Sequence, residues 1–89
     1  MYRVEWLQEA LDELTTLWIA ADEDLRQEIT AATHALDQEL QADPYRNSES
    51  RGVDERVLFA YPLAILIEID SQPGIVWVLN VWRFRRRGE

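Results

Sequence analysis

Leu63-Ala-Ile-Leu-Ile-Glu-Ile-Asp70 is the stretch on which the fold turns. Ile65, Ile67 and Ile69 recur at every second position, while Ala64, Leu66, Glu68 and Asp70 between them grade from apolar to acidic. A period of two describes a β-strand with one solidly apolar face and one mixed face. Two further β-type runs flank it. Arg56-Val-Leu-Phe-Ala-Tyr61 precedes it across Pro62, and Ile75-Val-Trp-Val-Leu-Asn-Val-Trp82 follows it across Ser71-Gln-Pro-Gly74. The missing N–H of a proline costs least between strands, and Ser-Gln-Pro-Gly supplies turn chemistry. Connections this short imply an antiparallel meander. The last run continues into Arg83-Phe-Arg-Arg-Arg87, so the final strand is expected to deliver positive charge to one edge of an otherwise acidic protein.

Upstream of the meander the period changes. Tyr2, Val4 and Trp6 alternate with Arg3 and Glu5, the pattern of a short half-buried strand. Trp6 or Leu7, Ala10, Leu11, Leu14, Leu17, Trp18 and Ala21 then recur at helical spacing, with Glu9, Asp12 and Glu13 facing away. Asp22-Glu-Asp24 ends this helix and starts another, with Asp24 as the expected cap and Gln27 completing a capping box. Leu25, Ile29, Ala32, Leu36 and Leu40 line one face of the second helix. That helix is expected to end near Ala42, because Asp43 precedes Pro44. Tyr45 to Glu55 is polar and aperiodic, a surface loop. The expected architecture is α+β, in the order β-α-α-β-β-β. A helical hairpin covers the isoleucine row of a mainly antiparallel four-stranded sheet, and the other face stays partly open.

Eighty-nine residues suffice for a single domain spanning 1–89. With no cysteine, disulfides, a thiolate nucleophile and cysteine-ligated zinc are excluded, and a reducing cytoplasm is the expected location. No basic start followed by an apolar stretch marks a secretion signal. The longest apolar run, Val57 to Ile67, is far short of the ~20 residues of a membrane helix, so no membrane partner is expected. The net charge of −8 is unevenly placed: residues 1–44 hold eleven acidic residues and two arginines, residues 45–89 six acidic residues and seven arginines. Every basic side chain is Arg, suited to gripping carboxylate or phosphate and poorly suited to acting as a general base.

The order and spacing of these pieces resemble the RelE/ParE superfamily of toxins from type II toxin–antitoxin systems. The resemblance spans nearly the whole chain. It rests on Tyr2-x-Val4-x-Trp6 leading into a helix with Ala10, on Leu40-x-x-Asp-Pro44, on the Ile-Leu-Ile-Glu-Ile-Asp70 strand, and on Val-Leu-Asn-Val-Trp-Arg83 running into Arg85 and Arg86. It implies a toxin held inactive by a small antitoxin. RelE-like members cleave mRNA on the ribosome through Arg, Lys, His or Tyr side chains, whereas ParE-like members inhibit DNA gyrase. This chain has Leu63 or Ala64 where the nuclease branch carries an Arg, Trp82 where it often carries a His, and no Lys. Arg56, Arg83, Arg85 and Arg86 remain as matches. Arginines can stabilise a phosphorane readily, but they supply the base and acid of 2′-hydroxyl cleavage poorly. The implied activity is therefore binding, with an arginine-only ribonuclease and a non-toxic interaction module as alternatives. A second copy of the chain is a further candidate partner. No cofactor is implied.

The candidate binding residues are Arg83, Arg85, Arg86, Trp82 and Phe84; the catalytic candidates, should cleavage occur, are Arg56, Arg83 and Arg85. The arginine cluster either grips phosphate or an acidic partner, or forms a solvated tail guarding a strand edge. Trp82 and Phe84 either anchor a base or an antitoxin helix, or pack at the edge. Unbroken alternation places Arg83 and Arg85 on one face with Trp77, Leu79 and Val81, and Trp82 and Phe84 on the other with Asn80. Asn80 is expected to make a hydrogen bond across the strands. The lone His34 is a solvated helix residue and makes no metal site. The Asp22-Glu-Asp24 cluster is explained by capping, and Glu68 with Asp70 by an exposed strand end.

Overall fold

The computed structural model describes residues 1–86. Its elements are β1 (Arg3–Trp6), α1 (Gln8–Ala20), α2 (Glu23–Ala42), β2 (Glu49–Ser50), β3 (Glu55–Ala60), β4 (Leu63–Asp70) and β5 (Ile75–Arg83). The sheet order is β1-β5-β4-β3-β2, with β1 parallel to β5 and the other pairs antiparallel. The isoleucine strand thus lies in the middle. Leu63, Ile65 and Ile67 are fully buried and Ile69 nearly so, packed with Leu58, Val76, Val78 and Val81 against Ala10, Ile29, Ala32, Leu36 and Leu40 of the two helices. Each such aliphatic side chain contributes about 1.5–3 kcal/mol on burial.

Two local ties fix how the helices enter this core. Asp22, rather than Asp24, caps α2: its carboxylate accepts from the Leu25 N–H at 2.8 Å. The cap lies two residues earlier than expected because α1 runs through Ala20 and leaves only Ala21 and Asp22 as the connection. The last turn of α1 has no basic residue of its own. Arg26 of α2 supplies one, donating to the Trp18 and Ile19 carbonyls at 2.9 and 3.1 Å and lying 4.2 Å over the Trp18 ring. A cation at the negative end of the helix dipole, bonded to orphan carbonyls, holds the hairpin shut at its junction.

The sheet has five strands where four were expected. Arg56 is responsible: its guanidinium donates to the Ser48 hydroxyl at 2.6 Å and to the Ser48 carbonyl at 2.8 Å. This draws the loop alongside β3, so that Glu49 and Ser50 pair with Val57 and Arg56.

The larger correction concerns β5. Ile67 is in register with Val78 and Leu66 with Asn80, so Leu79 has no partner and forms a bulge. One extra residue shifts the alternation by one. Val76 and Val78 therefore share the helix-covered face with Val81, while Trp77, in register with Glu68, shares the open face with Trp82. The expected grouping of Trp77 with Val81 holds only for a strand without a bulge.

The outer edge of β5 is closed by a side chain. The Leu7 N–H donates to the Val78 carbonyl at 3.0 Å, and beyond that point α1 has begun and β1 offers no further backbone. Glu13 takes over, accepting from the Val81 N–H at 3.1 Å and from the Asn80 amide at 3.2 Å. Glu13 therefore faces the sheet, not solvent, and the partner of Asn80 is a helix and not a neighbouring strand. Replacing Glu13 by Ala removes the acceptor of a part-buried backbone N–H and is expected to cost about 1–3 kcal/mol in urea denaturation, with Glu13→Gln recovering most of it. Deleting Leu79 leaves every other β5 residue on its present face. The deletion variant is expected to fold with a loss below about 2 kcal/mol, read from the same denaturation curves.

Candidate binding face of the sheet

Because both helices lie on one side, the residues between the core rows are left on the other. Three registers of the open face can be followed across β3, β4 and β5: Phe59–Ala64–Trp82, Val57–Leu66–Asn80, and Glu55–Glu68–Trp77. Asp70 and Ile75 complete the far end. Phe59 and Trp82 are 44% and 39% exposed, yet Ala64 between them is wholly buried. Large aromatic side chains flanking a small one on adjacent strands close over it and leave their own outer surfaces to solvent.

The aromatic end is built beyond the last paired residues. The Phe84 N–H donates to the Pro62 carbonyl at 3.0 Å, which holds the chain against the β3–β4 turn after β5 has ended. The Phe84 ring meets Phe59 edge-on at 5.4 Å and Tyr61 edge-on at 5.6 Å. Arg86 lies 3.9 Å over the Tyr61 ring, a cation–π arrangement that spreads the charge across the top of the cluster. Arg85 beside it is exposed. The opposite end of the face is acidic: Glu68 and Asp70 are exposed and gather with Asp54 and Trp77 around a shallow depression. Arg3, the one cation of β1, is paired with Glu5 at 3.0 Å.

The sequence-derived candidates thus separate. Trp82, Phe84 and Arg86 come together on the open face with Arg85 at its end. Arg83 is in register with Leu63 and lies on the helix side, where its Nε is buried without a hydrogen-bond partner. Arg56 lies at the other end of β3, in register with the core residue Ile67, with its guanidinium occupied by Ser48 and stacked 5.5 Å from Tyr45. Arg87 lies outside the described residues. His34 is exposed on the rim of a groove of about 440 Å³ between α1 and α2, lined also by Leu14, Trp18, Ile29, Thr33 and Asp37. Among the described residues, no group of three His, Asp or Glu side chains is placed to hold a metal ion, and no helix is long and apolar enough to cross a membrane.

Phe59, Tyr61 and Trp77 are the members of the face that the sequence reading did not single out. Phe59 and Tyr61 carried a signal, being two aromatics at strand spacing opposite Leu58 and Ala60. Trp77 carried none, since unbroken alternation sets it on the face opposite Trp82.

Against known proteins, no family model matches the chain and no curated protein matches it. Solved structures do. A chain of the toxin–antitoxin complex RelBE2 from Mycobacterium tuberculosis superposes with a TM-score of 0.73 at 17% identity, covering 93% of this chain and 91% of that one. The chromosomal ParDE system from P. aeruginosa gives a TM-score of 0.70 at 13% identity, covering 96% and 98%. The isolated RelE toxin of E. coli gives 0.65 at 16% identity, covering 99% and 89%. With two helices on one face of a mixed sheet and these neighbours matching nearly its whole length, the chain has the RelE/ParE fold.

Proposed function

We propose that this chain is the toxin-like component of a type II toxin–antitoxin pair and that it acts by binding a macromolecule, in the manner of the ParE branch. Its cognate antitoxin would neutralise it by laying a segment over the open face of the sheet and its basic end. The observation that carries this reading is the composition of that face: aromatic anchors at one end and apolar residues in the middle. Buried aromatic anchors with a few charged pairs at the rim are what protein recognition uses. The positions of Arg56 and Arg83 weigh against the ribonuclease alternative. Arg56 is held by Ser48 in the register of Ile67 and Arg83 lies in the register of Leu63, toward opposite ends of β4, so these two do not converge on one scissile phosphate.

Expression from a tightly controlled promoter in a bacterium is expected to arrest growth. The arrest should be lost in Trp82→Ala/Phe84→Ala and in Arg85→Ala/Arg86→Ala variants that remain soluble, and kept in Arg56→Lys. Arrest accompanied by cleavage of ribosome-bound message, abolished in Arg56→Ala, would replace this reading with the ribonuclease one. Normal growth across hosts with soluble protein would leave only an interaction module.

A further inference from the structure

We propose that the open face of the sheet is self-complementary and that the free chain forms a weak two-fold dimer through it. The argument is the order of residues along β4. Taking the Val57–Leu66–Asn80 register as the centre, the register on one side is Phe59–Ala64–Trp82 and the register on the other is Glu55–Glu68–Trp77. Beyond the first lie Phe84, Tyr61 and Arg86, with Arg85 alongside; beyond the second lies Asp70. A two-fold axis through the centre, lying between the two sheets and perpendicular to their strands, lays one copy face to face and antiparallel on the other. Each contact then occurs twice, as an isologous interface requires.

Under that operation Trp82 of one copy meets Trp77 of the other on β5, Phe59 meets Glu55 on β3, and the end that carries Arg85 and Arg86 meets Glu68 and Asp70. Leu66 meets Leu66 on the axis. Apolar residues fall in the middle and opposite charges at both ends, the arrangement of a core with a polar rim. The other face-to-face two-fold, with its axis along β4, does not do this: it brings the two arginine ends together and sets Glu68 on Glu68. The bulge at Leu79 makes the match possible, because it brings Trp77 and Trp82 to one face.

The area sets the strength. Strands of two to nine residues, about 4.8 Å apart and rising about 3.3 Å per residue, give the face roughly 500 Å² per copy. Roughly 1,000 Å² in total is at the lower limit of specific interfaces, so a dissociation constant in the range of about 10–200 µM is expected. This inference concerns the chain by itself and does not depend on its pairing with an antitoxin.

The test is a charge swap read by sedimentation equilibrium of the full chain between about 5 and 500 µM. The wild type is expected to pass from monomer to dimer over this range. Arg85→Glu/Arg86→Glu makes both ends acidic, and Glu68→Arg/Asp70→Arg makes both ends basic. Each variant alone is expected to associate at least about thirtyfold more weakly, since like charges now face each other at two symmetric places. Mixed together, the two variants restore opposite charge at both ends and are expected to recover wild-type association as a one-to-one complex. Both variants keep a net negative charge, so a bulk attraction between them cannot produce this recovery. Circular dichroism checks that each variant is folded, and the mixture repeats the check through function. A wild type that stays monomeric at 500 µM, variants that dimerise as the wild type does, or a mixture that fails to associate would each overturn the proposal.

Discussion

One unpaired residue governs what this molecule presents to its surroundings. Tryptophans five positions apart on a regular strand point to opposite faces, because the side-chain period is two. Trp77 and Trp82 are five apart, and Leu79 between them opposes nothing on β4. The bulge places three valines in the core and both tryptophans on the open side. Were Leu79 paired with Leu66 in an unbroken ladder instead, the second half of β5 would send Trp82 under the helices and Val81 into solvent, and the core could not close around Leu63 and Ile65. The same irregularity turns the Val81 N–H toward α1, where Glu13 meets it. A bulge, a helix carboxylate and a two-sided strand are therefore one construction.

The central strand was legible in the sequence because Leu63 to Asp70 follows its period without exception, and its neighbours in the chain are also its neighbours in the sheet. The second helix was equally plain, its apolar stripe running unbroken from Leu25 to Leu40. Three things were not legible, each for a physical reason. The bulge leaves no compositional mark, since Val-Leu-Asn-Val alternates as plausibly with an extra residue as without one. The fifth strand exists because Arg56 reaches eight residues back to Ser48, a tertiary contact that local polarity hides. Glu13 looked solvated because a carboxylate on a helix usually is; only the early end of β1 leaves a backbone N–H for it to accept. Within the candidate face, the Trp82–Phe84–Arg86 end followed from the sequence, whereas the inclusion of Trp77 and the exclusion of Arg83 both needed the register.

The arginines show how far an identical side chain can diverge with position. Arg26 closes the helical hairpin by bonding the last carbonyls of α1, Arg56 fastens a loop, and Arg3 pairs with Glu5. These are structural uses of a planar, permanently charged fork. Arg85 and Arg86 follow β5 and are exposed, with Arg86 over the Tyr61 ring. Two exposed arginines at one end of the open face and the acidic depression around Asp70 at the other give that face a direction.

A face with an aromatic centre, a cationic end and an acidic end constrains any segment laid along it. Such a segment gains most by placing acid over Arg85 and Arg86, apolar side chains over Trp82, Leu66 and Trp77, and base over Glu68 and Asp70. Another copy of the same face, turned end for end, meets that description, and so would a partner peptide of the matching polarity. The two occupants then compete for one surface. Mass action decides between them: a weak self-contact of about 1,000 Å² is displaced by a segment that buries more, while in the absence of one it shields the exposed tryptophans. The helices can cover only one face of a sheet this small, and the bulge ensures that the uncovered face is the aromatic one. Self-association and partner recognition therefore share one physical origin: the open face holds more apolar surface than a solitary chain can hide.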